Sequence, residues 1–239
     1  MASKRNTVSS EAEEYLEVIY KLEERNGFAK TLEIAKQLGL SPGSVTNTIE
    51  NLEKRNLIVH ELYKGVKLTR RGRKIALAVI RKHRLSERLL TDILGMDWSQ
   101  VHEAACRLEH GISEEVLRLM EKALDYPATC PHGNPIPTGG REASGERSEP
   151  LLSLRPGERG VIIKITEEGK EVLSYFKRLG LTPGKLVKVE ERDLASGIVR
   201  VRVGENEAYM NPKLASIVNV RKLRKQSRMK SSGRDKPSN

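Results

Sequence analysis

Residues 31–72 read TLEIAKQLGLSPGSVTNTIENLEKRNLIVHELYKGVKLTRRG, and this stretch decides the fold of the N-terminal third. Its apolar residues first recur at helical spacing, with Leu32, Ala35 and Leu38 on one short helix that Gly39 stops. Ser41 followed by Pro42 is a cap and a first helical residue. They open a helix in which Val45, Ile49 and Leu52 fall at i, i+4 and i+7. The pattern then alternates, and IVHELYKGVKLT turns over at Lys64-Gly65 as a short hairpin. Upstream, residues 10–26 predict another helix, capped by Ser10, acidic in its first turn, with Tyr15, Ile19 and Leu22 along one side. Helix, turn, helix and hairpin in that order is the plan of a winged helix-turn-helix.

From Arg71 to about Asp125 the period stays helical, through KIALAVIRKHRLSERLLTDILG, SQVHEAACRLEHG and SEEVLRLMEKALD, the last capped by Ser113. PATCPHGNPIPTGGREASGERSEP follows, dense in Pro, Gly, Ser and charge, and reads as a linker or extended tether. From Leu151 the period becomes two. VIIKI, KLVKVEE, GIVRVRV and SIVNVRKL read as four strands, with the helix KEVLSYFKRLGL inserted after the first, in the manner of a small SH3-like barrel. The expected fold is therefore mainly α with a small β barrel. A winged helix covers 1–75, a helical domain 76–140, a linker 141–150 and an SH3-like domain 151–225, and a basic disordered tail closes the chain at 226–239.

The chain has 239 residues, a formal net charge of +11 and a pI near 9.7, so it attracts polyanions before any specific contact forms. Aromatic residues are only 4% of it, which argues against single-strand binding by base stacking. No run approaches the roughly 18 apolar residues of a membrane span, and MASKRNTVSSEAEEY has no apolar signal core. Cys106 and Cys130 are far apart, so reduced thiols and a cytoplasmic location are expected. There is no H-E-x-x-H motif and no Gly-rich phosphate loop, which sets a hydrolytic zinc enzyme aside.

Three of the five histidines, His83, His102 and His110, share one window with Glu87, Cys106 and Glu109. His83 and Glu87 are i, i+4 on one helix; His102, Cys106, Glu109 and His110 share a side of the next. Imidazole, thiolate and carboxylate together are the ligand set of a first-row transition metal. Each residue also has a plainer reading, as packed core or solvated charge. Cys130 and His132 in CPHG are two donors at i, i+2 in a Pro-rich segment, too few to hold a metal by themselves.

The run RKHRLSERLLTDILGMDWSQVHEAACRLEHGISEEV (81–116) resembles the metal-binding segment of the diphtheria toxin repressor family of iron- and manganese-dependent regulators. EEYLEVIYKLEE resembles that family's first helix, GNPIP its interdomain tether, and the C-terminal region the SH3-like domain of its iron-dependent members. The resemblance implies a repressor of metal uptake and homeostasis genes, with two metal sites per subunit in the 76–140 domain, which would also dimerise. An ancillary site would use His83, Glu87 and His102, with Glu168 and Glu171 from the barrel region; those two acids could equally cap the following helix. An activating site would use Cys106, Glu109 and His110 with Glu14, where iron-responsive members place Met. Manganese-responsive members carry an acid there, but also one in place of Cys106. Fe(II) is the expected metal and Mn(II) the alternative, with Co(II), Ni(II) or Zn(II) as substitutes in vitro.

The expected partners are a palindromic double-stranded operator and a second copy of the chain, with no membrane and no organic substrate. A winged-helix regulator sensing a small organic ligand is the rival reading. Phosphate contacts are expected from Lys30, Thr31, Lys54, Lys64 and Lys67. Ser41, Ser44, Thr46, Asn47 and Asn51 offer short polar groups to base edges, Asn47 being suited to bidentate adenine contact.

Overall fold

Ser9 opens the first helix, α1 (Ser10–Asn26): its hydroxyl accepts from the Ala12 amide at 3.3 Å, so the cap lies one residue before the expected Ser10. The computed structural model describes residues 8–193 and 195–223. They divide into two compact units, one taking the described residues up to Gly145 with Glu167–Tyr175, the other Glu146–Thr166 and the described residues from Phe176 on.

In the first unit, α2 (Thr31–Leu38) buries Ile34 and Ala35. Leu32, expected on that apolar face, lies in the first turn and is exposed, so the buried stripe is rotated from the predicted one. Ser41 caps α3 (Pro42–Lys54), whose Val45, Ile49 and Leu52 are buried as the spacing predicts. β1 (Ile58–Glu61) and β2 (Gly65–Leu68) pair antiparallel. The wing turns through Leu62, Tyr63 and Lys64, closed by the Lys64 amide on the Glu61 carbonyl, rather than at Lys64-Gly65. A reciprocal backbone pair between Ala29 and Val66, 2.9 Å each way, ties the wing to the entry of α2.

Tyr15, Ile19, Ile34, Ile49, Leu57, Val66 and Ile80 belong to one continuous core that fastens this bundle to α4 (Arg70–Arg88). Beyond Arg88 the helix widens into a π turn, Leu89–Ile93. Such turns cluster at functional sites, and this one begins two residues after Glu87. α5 (Val101–Glu109) and α6 (Glu114–Ala123) follow.

Residues 127–145 differ most from their composition. Cys130, His132, Asn134 and Ile136 are buried. The carbonyls of Thr129 and Pro135 accept from Arg88 and Arg84 of α4, and that of Pro131 from the Trp98 indole at 2.9 Å. A segment without periodicity is thus a strap, because side chains elsewhere satisfy the backbone groups that a helix or sheet would satisfy internally.

In the second unit β3 (Glu149–Pro150), β4 (Arg159–Ile165), β5 (Leu186–Asp193), β6 (Ile198–Val203), β7 (Asn206–Met210) and β8 (Val218–Lys222) form one antiparallel sheet in the order β3-β8-β4-β5-β6-β7. Val199, Val201 and Val203 point inward between Arg200 and Arg202, the alternation that marked the strand in the sequence. β3 is too short and β7 too polar to show that alternation, so both escaped prediction. Ser216 and Ile217, expected in the last strand, close the helix α8 (Pro212–Ile217), which Asn211 caps. The helix expected after the first strand is α7 (Lys170–Leu179). The tail at 226–239 lies outside the described residues. Among the described residues, no helix is long and apolar enough to cross a membrane.

One glycine gives a sharp test of this packing. A Cβ on Gly72 in α4 would stand 2.0 Å from the Leu57 carbonyl oxygen, whereas one on Gly43 in α3 would meet nothing within 4 Å. Helix propensity alone favours Ala over Gly by about 1 kcal/mol at both. The Gly72 clash reverses the sign, since overpacking costs about 1–3 kcal/mol. Urea unfolding of Gly72→Ala should show lost stability, and that of Gly43→Ala none.

Candidate metal centre

His83 and Glu87 lie one turn apart on α4, His102 and Cys106 one turn apart on α5, and the two helices pack against each other. The His83 Nε2 atom sits 3.1 Å from His102 Nδ1 and 3.2 Å from Glu87 Oε1. Glu168, in the segment before α7 that belongs to this unit, brings Oε2 within 3.4 Å of His102 Nδ1. Among the described residues, His83, Glu87, His102 and Glu168 form one converging donor set, and His83, His102 and Cys106 another. Glu171 is exposed in the first turn of α7 and belongs to neither.

A third set consists of Glu87, Cys130, His132 and Glu168. His132 Nδ1 is 3.3 Å from Glu87 Oε1, and Cys130 Sγ is 4.0 Å from His132 Nδ1. The partners of these two donors lie on α4 and before α7, more than 30 residues away in either direction, so local spacing does not reveal them. The usable signal was the short CPHG motif, whose donors needed only to be asked what other carboxylates could reach them.

The residues expected at the activating site are arranged differently. Glu109 is buried and turns Oε2 to His83 Nδ1 at 2.6 Å, while its Oε1 lies 3.3 Å from His110 Nε2. It therefore bridges the two groups. His110 Nδ1 is held at 2.8 Å by Glu13 of α1; Glu14 is 3.7 Å from Nε2 and 55% exposed. Both acids come from α1, so the first helix does reach this cluster, with Glu13 nearer than the expected Glu14. Cys106 faces His102 and His83, at 3.8 and 3.9 Å, rather than His110. Glu17, also of α1 and buried, pairs with Lys21 at 2.8 Å, and Lys21 is 3.8 Å from Glu168. Glu17 is buried on α1 beside Leu16, a carboxylate that the apolar stripe of Tyr15, Ile19 and Leu22 does not mark.

Electrostatics explain why these side chains crowd together. Burial pushes the Glu87 carboxyl upward, but His83, His102 and His132 hold it well below the usual carboxylate range. Burial likewise opposes charge on His83, yet Glu87 and hydrogen bonds with Cys106 and Glu109 keep its pKa well above that of free imidazole. His102 is lifted to about 9 against burial, through Cys106 and Glu87. Burial would raise the Cys106 thiol, and His102 and His83 instead draw it down to about 7. Cys130 goes the other way, burial and then Glu87 and Glu168 pushing it well up. Glu17 falls to about 2, Lys21 and then His83 outweighing its burial. Raised imidazoles and the lowered Glu87 and Glu17 carboxyls thus go together, each buried charge favouring its opposite, while burial raises Glu109.

A divalent cation fits this chemistry. Glu87 Oε2 is buried with no hydrogen-bond partner, and His110 Nε2 lies at ion-pair distance from Glu109 and Glu14 without a hydrogen bond to either; a bound cation would satisfy such atoms. The donors are imidazole, thiol and carboxylate, which select a transition ion over magnesium or calcium.

Lys30 and Lys54 are exposed beside α2 and at the end of α3, and Lys64 lies in the wing. Lys67 is half-buried and, like Lys64, pairs loosely with Glu61. Thr31 is half-buried at the first position of α2. The hydroxyls of Ser41 and Ser44 meet at 3.0 Å within the cap of α3, and Thr46 donates to the Pro42 carbonyl, so these three carry local structure as well. Asn47 and Asn51 are exposed on the same helix.

Comparison with known proteins follows these boundaries. Residues 7–66 match the family described as iron dependent repressor, N-terminal DNA binding domain. Residues 69–138 match iron dependent repressor, metal binding and dimerisation domain, and residues 149–222 the FeoA domain. The iron-dependent repressor IdeR of Mycobacterium leprae is 34% identical over 230 residues, covering 91% of this chain and 100% of its own. A solved manganese-dependent transcriptional repressor in complex with manganese superposes with a TM-score of 0.81 at 28% identity, covering 89% of this chain and 100% of that one. The crystal structure of T. acidophilum IdeR does so with a TM-score of 0.76 at 30% identity, covering 90% and 98%.

The two thiols should behave oppositely in metal-free folded protein. Cys106 is exposed with a pKa of about 7, and Cys130 is buried with a raised one. Iodoacetamide near neutral pH should label Cys106 at least tenfold faster, since the thiolate is the nucleophile. Equal rates by peptide mass mapping would contradict the arrangement.

Proposed function

We propose, because this chain belongs to the iron-dependent repressor family, that it binds a palindromic operator as a homodimer when Fe(II) occupies two sites in each subunit, and so represses metal uptake genes. The observation that carries this reading is the convergence of two donor sets on Glu87 and Glu168, with a third, His83, His102 and Cys106, sharing both histidines of the first; Glu109 joins His83 to a histidine that α1 grips. One site would use His83, Glu87, His102 and Glu168, with Cys130 and His132 reaching the same two carboxylates. The other would use Cys106, Glu109 and His110 with Glu13 or Glu14.

A bound cation would supply positive charge in place of the imidazole protons, and its uptake would release them. The chain's own residues carry that change to DNA. Glu13 and Glu14 sit on α1, which shares its core with α2, α3 and the wing. Fixing those acids against His110 fixes the recognition helix relative to the dimerisation face, a shift between populations already accessible to the protein. Ile93, Leu94, Met96, Leu108, Val116 and Leu119 are exposed large apolar residues of the same domain, and an apolar surface of that extent suits a partner copy. Asn47 and Asn51 would read base edges, and Lys30, Thr31, Lys54, Lys64 and Lys67 would hold phosphates.

The thiolate of Cys106 favours Fe(II), Co(II), Ni(II) or Zn(II) over Mn(II). A second reading, Mn(II), draws on the acids of α1: Glu13, Glu14 and Glu17 give that side an oxygen-rich character. Operator binding measured anaerobically with Fe(II), Co(II) and Mn(II), and again with chelator, separates the readings. Metal-dependent binding strongest with Fe(II) or Co(II) supports the first, and strongest with Mn(II) the second. Equal affinity in excess chelator contradicts both. Glu13→Ala should cost more operator affinity than Glu14→Ala, by tenfold or more, since breaking a partly buried charged hydrogen bond costs about 1.5–3 kcal/mol.

A further inference from the structure

The tip of the wing carries the least expected surface in the molecule. Tyr63 is 98% exposed and Leu62 77% exposed, side by side at the end of a two-stranded hairpin. Tyr63 also holds φ at +61°, a left-handed conformation rare for a bulky side chain. Exposed apolar residues are ordinary when scattered singly, but two large neighbours thrust out on a strained backbone need a reason. They border a groove of about 530 Å³ that the wing forms with Lys30 and Thr31 at the start of α2.

The tip is also rigidly placed. Ala29 clamps β2, as described above, and a Cβ on Gly65 would stand 2.3 Å from the Ala29 carbonyl oxygen, so nothing larger than glycine fits there. From the other side Glu53 of α3 accepts from the His60 amide at 3.2 Å and meets its Nδ1 at 2.8 Å. The recognition helix and the wing are therefore one body, and a duplex seated on α3 meets the wing at a fixed distance. Lys64 follows Tyr63 and pairs loosely with Glu61 at 3.8 Å, and Lys30 lines the same groove, so two cations and one acid border the apolar tip.

We propose that Tyr63, backed by Leu62, reads the minor groove beside the operator half-site, its ring edge lying between the sugar walls while Lys64 and Lys30 take the flanking phosphates. This rests on the operator-binding reading above. A minor groove about 6 Å wide admits a flat ring edgewise, and A·T and T·A pairs present only acceptors there, which the phenol can meet as a donor. The amino group of guanine projects into that space and opposes the ring. Narrow A·T-rich grooves are moreover more negative and attract the neighbouring lysines. Apolar side chains entering the minor groove are an established way of reading duplex shape. The wing thus adds a preference for A·T flanks that no side chain of α3 touches.

The test uses the full chain loaded with Co(II) and an operator selected by that protein from random duplexes. Its flank at the wing position is then rebuilt as A·T, G·C or inosine·C, the last presenting an A·T-like minor groove and a G·C-like major groove. Wild type should bind A·T and inosine·C flanks alike and G·C about tenfold more weakly, the scale of one mismatched contact. Tyr63→Ala should bind all three within twofold, with metal affinity unchanged, and Tyr63→Phe should keep most of the preference. Lys64→Ala should weaken every duplex evenly and lower the salt slope by about one. Inosine·C behaving like G·C, or Tyr63→Ala keeping the preference, overturns the proposal; so does Tyr63→Ala changing only self-association by light scattering, which would make the tip a protein contact. A wild type that binds metal-dependently without flank preference fails this inference alone. One that binds no operator with any metal fails the parent reading with it.

Discussion

Glu87 is fully buried, and a buried carboxylate must be met by positive charge. An isolated one would cost several kcal/mol, and removing one partner of a buried pair about 3–5 kcal/mol. His83, His102 and His132 meet it from three directions: its own helix, the next helix and the Pro-rich strap. Much of the first unit is arranged around that requirement. α4 carries the carboxylate, α5 packs across it, and the strap brings His132 in, its ring 5.0 Å from Trp98 and its Nε2 3.0 Å from the Trp98 carbonyl.

The same requirement makes the centre responsive. The imidazoles lie where they favour protons, and uptake of a divalent cation at the same donors would displace those protons. The bridging carboxylate Glu109 touches both His83 and His110, and His110 is gripped by α1. On the function proposed above, a change at the deeply buried end would pass along these contacts to the helix that shares its core with the DNA-reading elements. Position alone does not establish coupling, which requires that both sites bias one shared element.

Local periodicity made most of the fold legible. The Val45, Ile49 and Leu52 stripe, the Ser41-Pro42 cap and the alternation of β6 each arise from neighbours in sequence, and each stands where it was expected. The strap was illegible for the opposite reason: what orders residues 127–145 is Arg84, Arg88 and Trp98, and nothing in its own composition names them. The candidate centre divides along the same line. His83, Glu87, His102 and Cys106 share faces of two helices, so spacing found them. Cys130 and His132 approach Glu87 only through tertiary packing. That Glu13 lies nearer His110 than Glu14 does is a question of helix rotation, a hundred degrees per residue, finer than a spacing argument can fix.

If cation binding and operator binding are linked through this centre, each must strengthen the other by the same factor. Isothermal titration of Co(II) into the metal-free protein, alone and saturated with operator duplex, measures this directly. Metal should bind more tightly in the presence of the operator, by the same ratio by which metal tightens operator binding. Identical metal affinity with and without operator would contradict the account.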